Sequence, residues 1–124
     1  MATRAARGTE IGSEREAIVR TALDYFEGWF DGDVERMDRA LHPDLVKRRS
    51  GEELGITTKE RMLELTEAGE GAEDGSDRRL DVEVVEVYGD IAAAIVRSAV
   101  YREYLHLVRT SEGWKIANAL WQFT

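Results

Sequence analysis

The sequence predicts an α+β fold in which helices pack on a curved antiparallel sheet and enclose a pocket. Three observations predict it. Apolar residues recur at helical spacing up to about Gly69, strand-like alternation runs from Arg79 to the end, and that alternation slips by one residue at Val84-Val85. A one-residue slip inside a strand reads as a β-bulge, which bends and twists a sheet. A strongly bent sheet capped by a long helix leaves a centre that backbone cannot fill, so side chains or a ligand occupy it.

Residues 1–12 lack periodicity and read as a flexible tail, leaving a single domain over residues 13–124. Ser13 with Glu16 forms a capping-box pattern, so the first helix is expected to start there. Its apolar positions are Ile18, Ala22, Tyr25, Phe26 and Trp29, widened by Val19, Leu23 and Phe30, with Glu16, Arg20, Asp24, Glu27 and Asp31 opposite. Gly32 ends this helix, and Asp33 can cap a shorter one carrying Val34, Met37 and Leu41. Pro43 stops helical continuation, and Leu45 to Ser50 reads as a short strand. Thr57 and Glu60 repeat the capping-box pattern before Met62, Leu63 and Leu65, in a helix ending near Gly69. The acidic, glycine-rich stretch from Glu70 to Asp77 reads as a solvated loop, or as a lid over the pocket mouth. Strands follow over Leu80–Val87, broken by the bulge, and from Ile91 to about Tyr101 after the Gly89-Asp90 turn.

Composition narrows the functional classes. The chain of 124 residues has no cysteine, which removes disulfides and thiolate metal sites. Its net charge of −8 disfavours nucleic-acid backbones and anionic membrane surfaces. The basic run Lys47-Arg48-Arg49 is too short for a nucleic-acid footprint, and alternation sends Lys47 and Arg49 to one face and Arg48 to the other. The longest apolar run, Ile91 to Val96, is far shorter than the roughly 20 residues of a membrane helix. With no apolar stretch near Met1 to serve as a secretory signal, a cytoplasmic location is expected. No metal site and no cofactor are expected, because His42 and His106 lack paired spacing. His42, before Pro43, reads as a turn residue bonded to loop backbone.

The closing hairpin, from Glu103 to Trp121, carries most of the functional reading. With Ser111-Glu112-Gly113 as the loop, Thr110 pairs with Trp114, Val108 with Ile116, His106 with Asn118 and Tyr104 with Leu120. Those eight share one face, and Leu105, Leu107, Ala117, Ala119 and Trp121 share the other. The histidine, asparagine and tyrosine on a covered face suggest a small-molecule pocket; structural pairing within the core is the competing reading. The expected ligand-binding set is Tyr25, Trp29, Arg49, Tyr104, His106, Trp114 and Asn118. His106 could also move a proton near neutrality, its ordinary pKa being about 6.5. The opposite face, with Leu105, Leu107 and Trp121, is expected to form a homodimer surface.

The pattern from Tyr25-Phe26-Glu27-Gly28-Trp29-Phe30-Asp31-Gly32-Asp33 to Leu41-His42-Pro43-Asp44-Leu45 resembles the NTF2-like (SnoaL-like, ketosteroid isomerase-like) superfamily. The hairpin from Tyr104 to Trp121 is similar to the branch labelled putative lumazine-binding. Together the resemblance spans residues 13–123. It implies a cone-shaped, cystatin-like α+β domain with a pocket between helices and sheet, paired as a homodimer through the outer sheet face. It also implies an oxyanion-donating tyrosine at Tyr25, and at His106 the position of a neutral carboxylic acid. The proton-shuttling aspartate falls where Arg48 and Arg49 stand, and an arginine cannot abstract a proton at neutral pH. Steroid isomerisation by that route is therefore not expected.

Three functions follow. The first is a binder of a small apolar or aromatic molecule. The second is an isomerase, cyclase or dehydratase with Tyr25 polarising a carbonyl and His106 transferring the proton. The third is a dimeric interaction module without ligand.

Overall fold

The computed structural model describes residues 3–72 and 77–124. In chain order the elements are helix α1 (Thr3–Asp31), helix α2 (Val34–Ala40), strands β1 (Leu41–Arg49) and β2 (Gly55–Thr58) and helix α3 (Lys59–Glu67). Strands β3 (Leu80–Tyr88), β4 (Ile91–Ser98), β5 (Tyr101–Thr110) and β6 (Gly113–Phe123) complete the fold. The strands form one six-stranded sheet in the order β2-β1-β6-β5-β4-β3. All neighbours are antiparallel except β1 and β6, which run parallel. That one parallel pair departs from the all-antiparallel sheet expected; the long connection from β1 to β6, through β2, α3 and β3 to β5, provides the crossover such pairing needs. Among the described residues no helix is long and apolar enough to cross a membrane.

Helix α1 buries Ile18, Ala22, Tyr25, Phe26 and Phe30, the stripe expected from periodicity. It begins at Thr3, so Ser13 lies inside the helix and does not act as its N-cap. Two side chains tie it to the sheet. Thr21 Oγ1 donates to the Trp114 carbonyl at 3.2 Å, and Arg15 Nη1 donates to the Val84 carbonyl at 2.7 Å. Val84 is where the register of β3 against β4 breaks, as its parity slip foretold. Gly32 ends α1 with φ of +66°, and Asp33 caps α2 by accepting from Arg36 N at 3.2 Å. Asp24 locks the two helices together through Arg36 and Arg39, each with its Nε 3.0 Å away.

Two local readings shift. Strand β1 starts at Leu41, ahead of Pro43, and its register against β6 breaks between Leu41 and Val46. The proline thus stands where ladder pairing lapses, as a residue without an N–H must. Thr58, not Thr57, caps α3, accepting from Arg61 N at 3.2 Å. Thr57 belongs to β2, a strand too short to show an alternating pattern. Part of the acidic loop, residues 73–76, lies outside the described residues.

The hairpin carries the largest correction. His106 pairs with Asn118 and Tyr104 with Leu120, as expected, but Leu107 pairs with Ile116 and Thr110 with Gly113. Ala117 is the extra residue of a bulge, so the parity of β6 changes there. Trp114 and Ile116 therefore share a face with Leu105, Leu107 and Ala119, all buried beneath the helices. Leu105 and Leu107 are 0% and 2% exposed and belong to the core rather than to a dimer surface. The outer face instead presents Tyr104, His106, Asn118 and Leu120, with Tyr88 and Ile91 beside them on the neighbouring strands. The reason is quantitative: Leu105 and Leu107 gain more from burial than Tyr104 and His106, which keep their polar atoms in water.

Candidate functional site

The residues that converge come from α1, β1 and β5. Tyr25 lies on the buried stripe of α1, Lys47 is two residues beyond buried Leu45 on β1, and Glu103 is two residues before Leu105 on β5. Alternation therefore carries both charged side chains to the helix-facing side of the sheet. Tyr25 Oη donates to Glu103 Oε1 at 2.8 Å, and Lys47 Nζ donates to Tyr25 Oη at 2.5 Å. Lys47 Nζ and Glu103 Oε1 stand 3.9 Å apart. The result is a continuous chain from amine to phenol to carboxyl.

This chain forms the floor of a cavity of about 360 Å³. Phe26, Trp29, Tyr101, Trp121 and Phe123 form its aromatic walls, Met62 and Leu65 of α3 close one side, and Thr57 and Glu70 stand at the rim. Tyr101, Trp121 and Phe123 make a cluster with ring centroids 5.1–5.6 Å apart. Lys47 Nζ lies 5.0 Å from the Tyr25 ring centre and 5.1 Å from that of Trp121, so its charge is also supported by ring faces. The turn after α3 holds Trp29 closely. A Cβ built on buried Gly71 would fall 2.2 Å from the Trp29 carbonyl oxygen, so only glycine fits there.

Burial dominates the electrostatics. It raises the Glu103 carboxyl above its ordinary range, against the attraction of Lys47 and the hydrogen bond from Tyr25. It lowers the Lys47 ammonium, against the attraction of Glu103. Tyr25 is pushed well above the ordinary phenol range by burial and then by Glu103, so it remains a hydrogen-bond donor at neutral pH. Lys47 and Glu103 are left as the groups that can exchange a proton, with Tyr25 bridging them.

Of the residues expected from sequence, Tyr25 and Trp29 line this cavity; Arg49 does not, but stacks on two of its wall rings, 5.6 Å from the Trp121 ring centre and 5.0 Å from that of Phe123. Arg48 pairs in register with Leu120 of the outer face. Trp114 lies elsewhere on α1's footprint, its indole N–H donating to Glu14 and Arg109 stacked 5.8 Å from its ring. Tyr104, His106 and Asn118 do not reach the cavity. His106 and Asn118 flank an outer groove with Tyr88 and Ile91, and Tyr104 borders a shallow depression with Arg102 and Gln122. His106 and Tyr25 thus lie on opposite faces of the sheet and cannot act on one substrate. His42 Nδ1 accepts from Asp44 N at 3.0 Å, the turn role read for it. Among the described residues no group of three His, Cys, Asp or Glu side chains is placed to hold a metal ion.

Lys47, Glu103 and Trp121 were missed as site residues. Their signal is parity: Glu103, Leu105 and Leu107 form the more apolar half of β5, whereas Arg102, Tyr104 and His106 form the more polar half. A glutamate on the more apolar half is the group that needs a partner. The carboxyl bonded to Tyr25 is that of Glu103, three residues before His106 and on the opposite face of β5.

The geometry agrees with the comparisons. The chain is similar in structure to an NTF2-like protein with a cystatin-like fold from Novosphingobium aromaticivorans, at 17% identity and TM-score 0.74, covering 99% of this chain and 90% of that one. It is similar to an NTF2-like protein of unknown function from Shewanella baltica OS155, at 13% identity and TM-score 0.70, covering 90% and 94%. A ketosteroid isomerase-like protein from Erwinia carotovora atroseptica aligns at 18% identity and TM-score 0.59, covering 87% and 94%. No curated protein matches the chain. At these identities the structural likeness establishes the fold. Residues 13–122 match the model of the family described as "Putative lumazine-binding", and the chain belongs to that family.

Proposed function

We propose that this protein binds a small, flat aromatic molecule carrying a carbonyl or similar acceptor in the cavity floored by Lys47, Tyr25 and Glu103. The observation that carries the reading is the arrangement of polarity: aromatic walls above a floor where Lys47, Tyr25 and Glu103 are linked, with Glu70 at the rim. Such a cavity gives affinity through apolar contact and orientation through a few convergent polar groups. Its volume, about 360 Å³, suits a ligand of one or two fused rings. Lys47 uses one N–H on Tyr25 and has others to offer an acceptor. The family description names lumazine, a fused heteroaromatic dione, which has this combination of flat ring and carbonyl groups.

The test is a thermal-shift screen of the purified protein against pteridines, hydroxybenzaldehydes, aromatic acids and aliphatic controls. A ligand at one hundred times its dissociation constant adds about 2.7 kcal/mol of stability. Aromatic carbonyl compounds are expected to raise the melting temperature and aliphatic controls to leave it unchanged. A panel with no stabilising aromatic member would reject the reading.

A further inference from the structure

The sequence contains three lysines, and the structure holds them differently. Lys59 Nζ donates to the carbonyls of Asp38 and Leu41 at 3.0 Å each and pairs with the Asp38 carboxylate at 3.1 Å. Lys115 Nζ donates to the Arg39 carbonyl at 2.5 Å. Both are fixed to backbone carbonyls. Lys47 instead ends at the floor of the aromatic cavity, with its Nζ bonded to the Tyr25 hydroxyl and 3.9 Å from a carboxyl oxygen of Glu103.

We propose that Lys47 is a nucleophilic amine that captures aromatic aldehydes or ketones as an imine inside this cavity, an inference that rests on the small-molecule reading above. The geometry supplies what the reaction needs. The walls present a ring-shaped space beside the amine, and Tyr25 connects the amine to a carboxyl that can take and return a proton. In the first step the lone pair of the neutral amine attacks the carbonyl carbon and the C=O π pair moves to oxygen. The attacking nitrogen loses a proton to the Glu103 carboxylate by way of Tyr25, and the alkoxide oxygen takes one from solvent, which the N–H proton released at the end replaces, giving a carbinolamine. In the second step the hydroxyl leaves as water with a proton returned by Glu103, the nitrogen lone pair forms C=N, and the remaining N–H proton is released. In balance, a primary amine and a carbonyl give an imine and one water, with nothing oxidised or reduced. The apolar surroundings favour the neutral amine, since burial lowers the Lys47 ammonium from its ordinary range.

The experiment treats the full chain with benzaldehyde and cyanoborohydride, which reduces an imine to a stable benzylamine, and maps the label by peptide mass spectrometry. A parallel melt with benzyl alcohol reports occupancy of the cavity by a ring that has no carbonyl. Lys47 is expected to be labelled at least about tenfold faster than Lys59 or Lys115, because the ring-lined cavity holds the aldehyde beside its amine. Excess benzyl alcohol should slow labelling at Lys47 alone, and Lys47→Arg should abolish that label. Because the wild-type map resolves all three lysines, the result does not depend on how well the variant folds. Labelling no faster at Lys47, with benzyl alcohol still raising the melting temperature, overturns the amine chemistry and leaves the binding reading standing. Neither label nor stabilisation overturns both.

Discussion

Replacing Glu103 with alanine is expected to lower the unfolding free energy by about 3 kcal/mol or more. The carboxyl side chain is 3% exposed and the Lys47 side chain 11% exposed, so neither recovers much hydration inside the fold. Removing one partner leaves the Tyr25 hydroxyl without its acceptor and Lys47 without its counter-charge, and buried groups left unpaired account for most such losses. Glu103→Gln should cost less, because the amide oxygen still accepts from Tyr25. The double variant Lys47→Met with Glu103→Leu should recover most of the stability, since an apolar pair of similar size removes both desolvation costs. Urea denaturation of the four proteins measures this. A loss under about 1 kcal/mol for Glu103→Ala, the magnitude of an exposed ion pair, would mean that the floor is hydrated.

Truncating Leu105 to alanine is expected to cost about 2–5 kcal/mol, the range for a fully buried leucine whose surroundings relax only in part. His106→Ala, at the adjacent residue on the outer face, should stay within about 0.5 kcal/mol of wild type. The pair reads the orientation of β5 directly, because adjacent residues of a strand face opposite sides. Equal costs, or a larger one at His106, would restore the opposite face assignment.

Much of this fold is legible in the residues. The α1 stripe, the Gly32-Asp33 break and the bulge at Val84 each follow from a local rule: helical spacing, a left-handed C-terminal glycine with a side-chain cap, and a parity slip. The hairpin pairing of His106 with Asn118 is legible too. Which face of that hairpin turns inward is only faintly marked, because both halves of β5 are apolar enough to be covered, and the bulge at Ala117 changes the parity of β6 without a glycine or proline to mark it. The site followed that error. A histidine, an asparagine and a tyrosine look like a pocket, whereas a lysine on β1 and a glutamate on β5 look like surface until the fold sets them 3.9 Å apart. Strand β2 and the parallel pairing of β1 with β6 are long-range outcomes with no local signature. Tyr25 and Trp29 were within reach because they lie on the one helix whose buried face the sequence displays in full.

The central claim is that ligand chemistry belongs to the inner face, at Lys47, Tyr25 and Glu103. Calorimetric titration of the most stabilising aromatic carbonyl ligand into wild type, Glu103→Gln and His106→Gln tests it most directly. The account predicts wild-type affinity for His106→Gln and binding weakened by about tenfold, or about 1.4 kcal/mol, for Glu103→Gln, as expected for a disturbed charge-assisted contact. Unchanged affinity in Glu103→Gln together with loss in His106→Gln would contradict it and move the site to the outer groove.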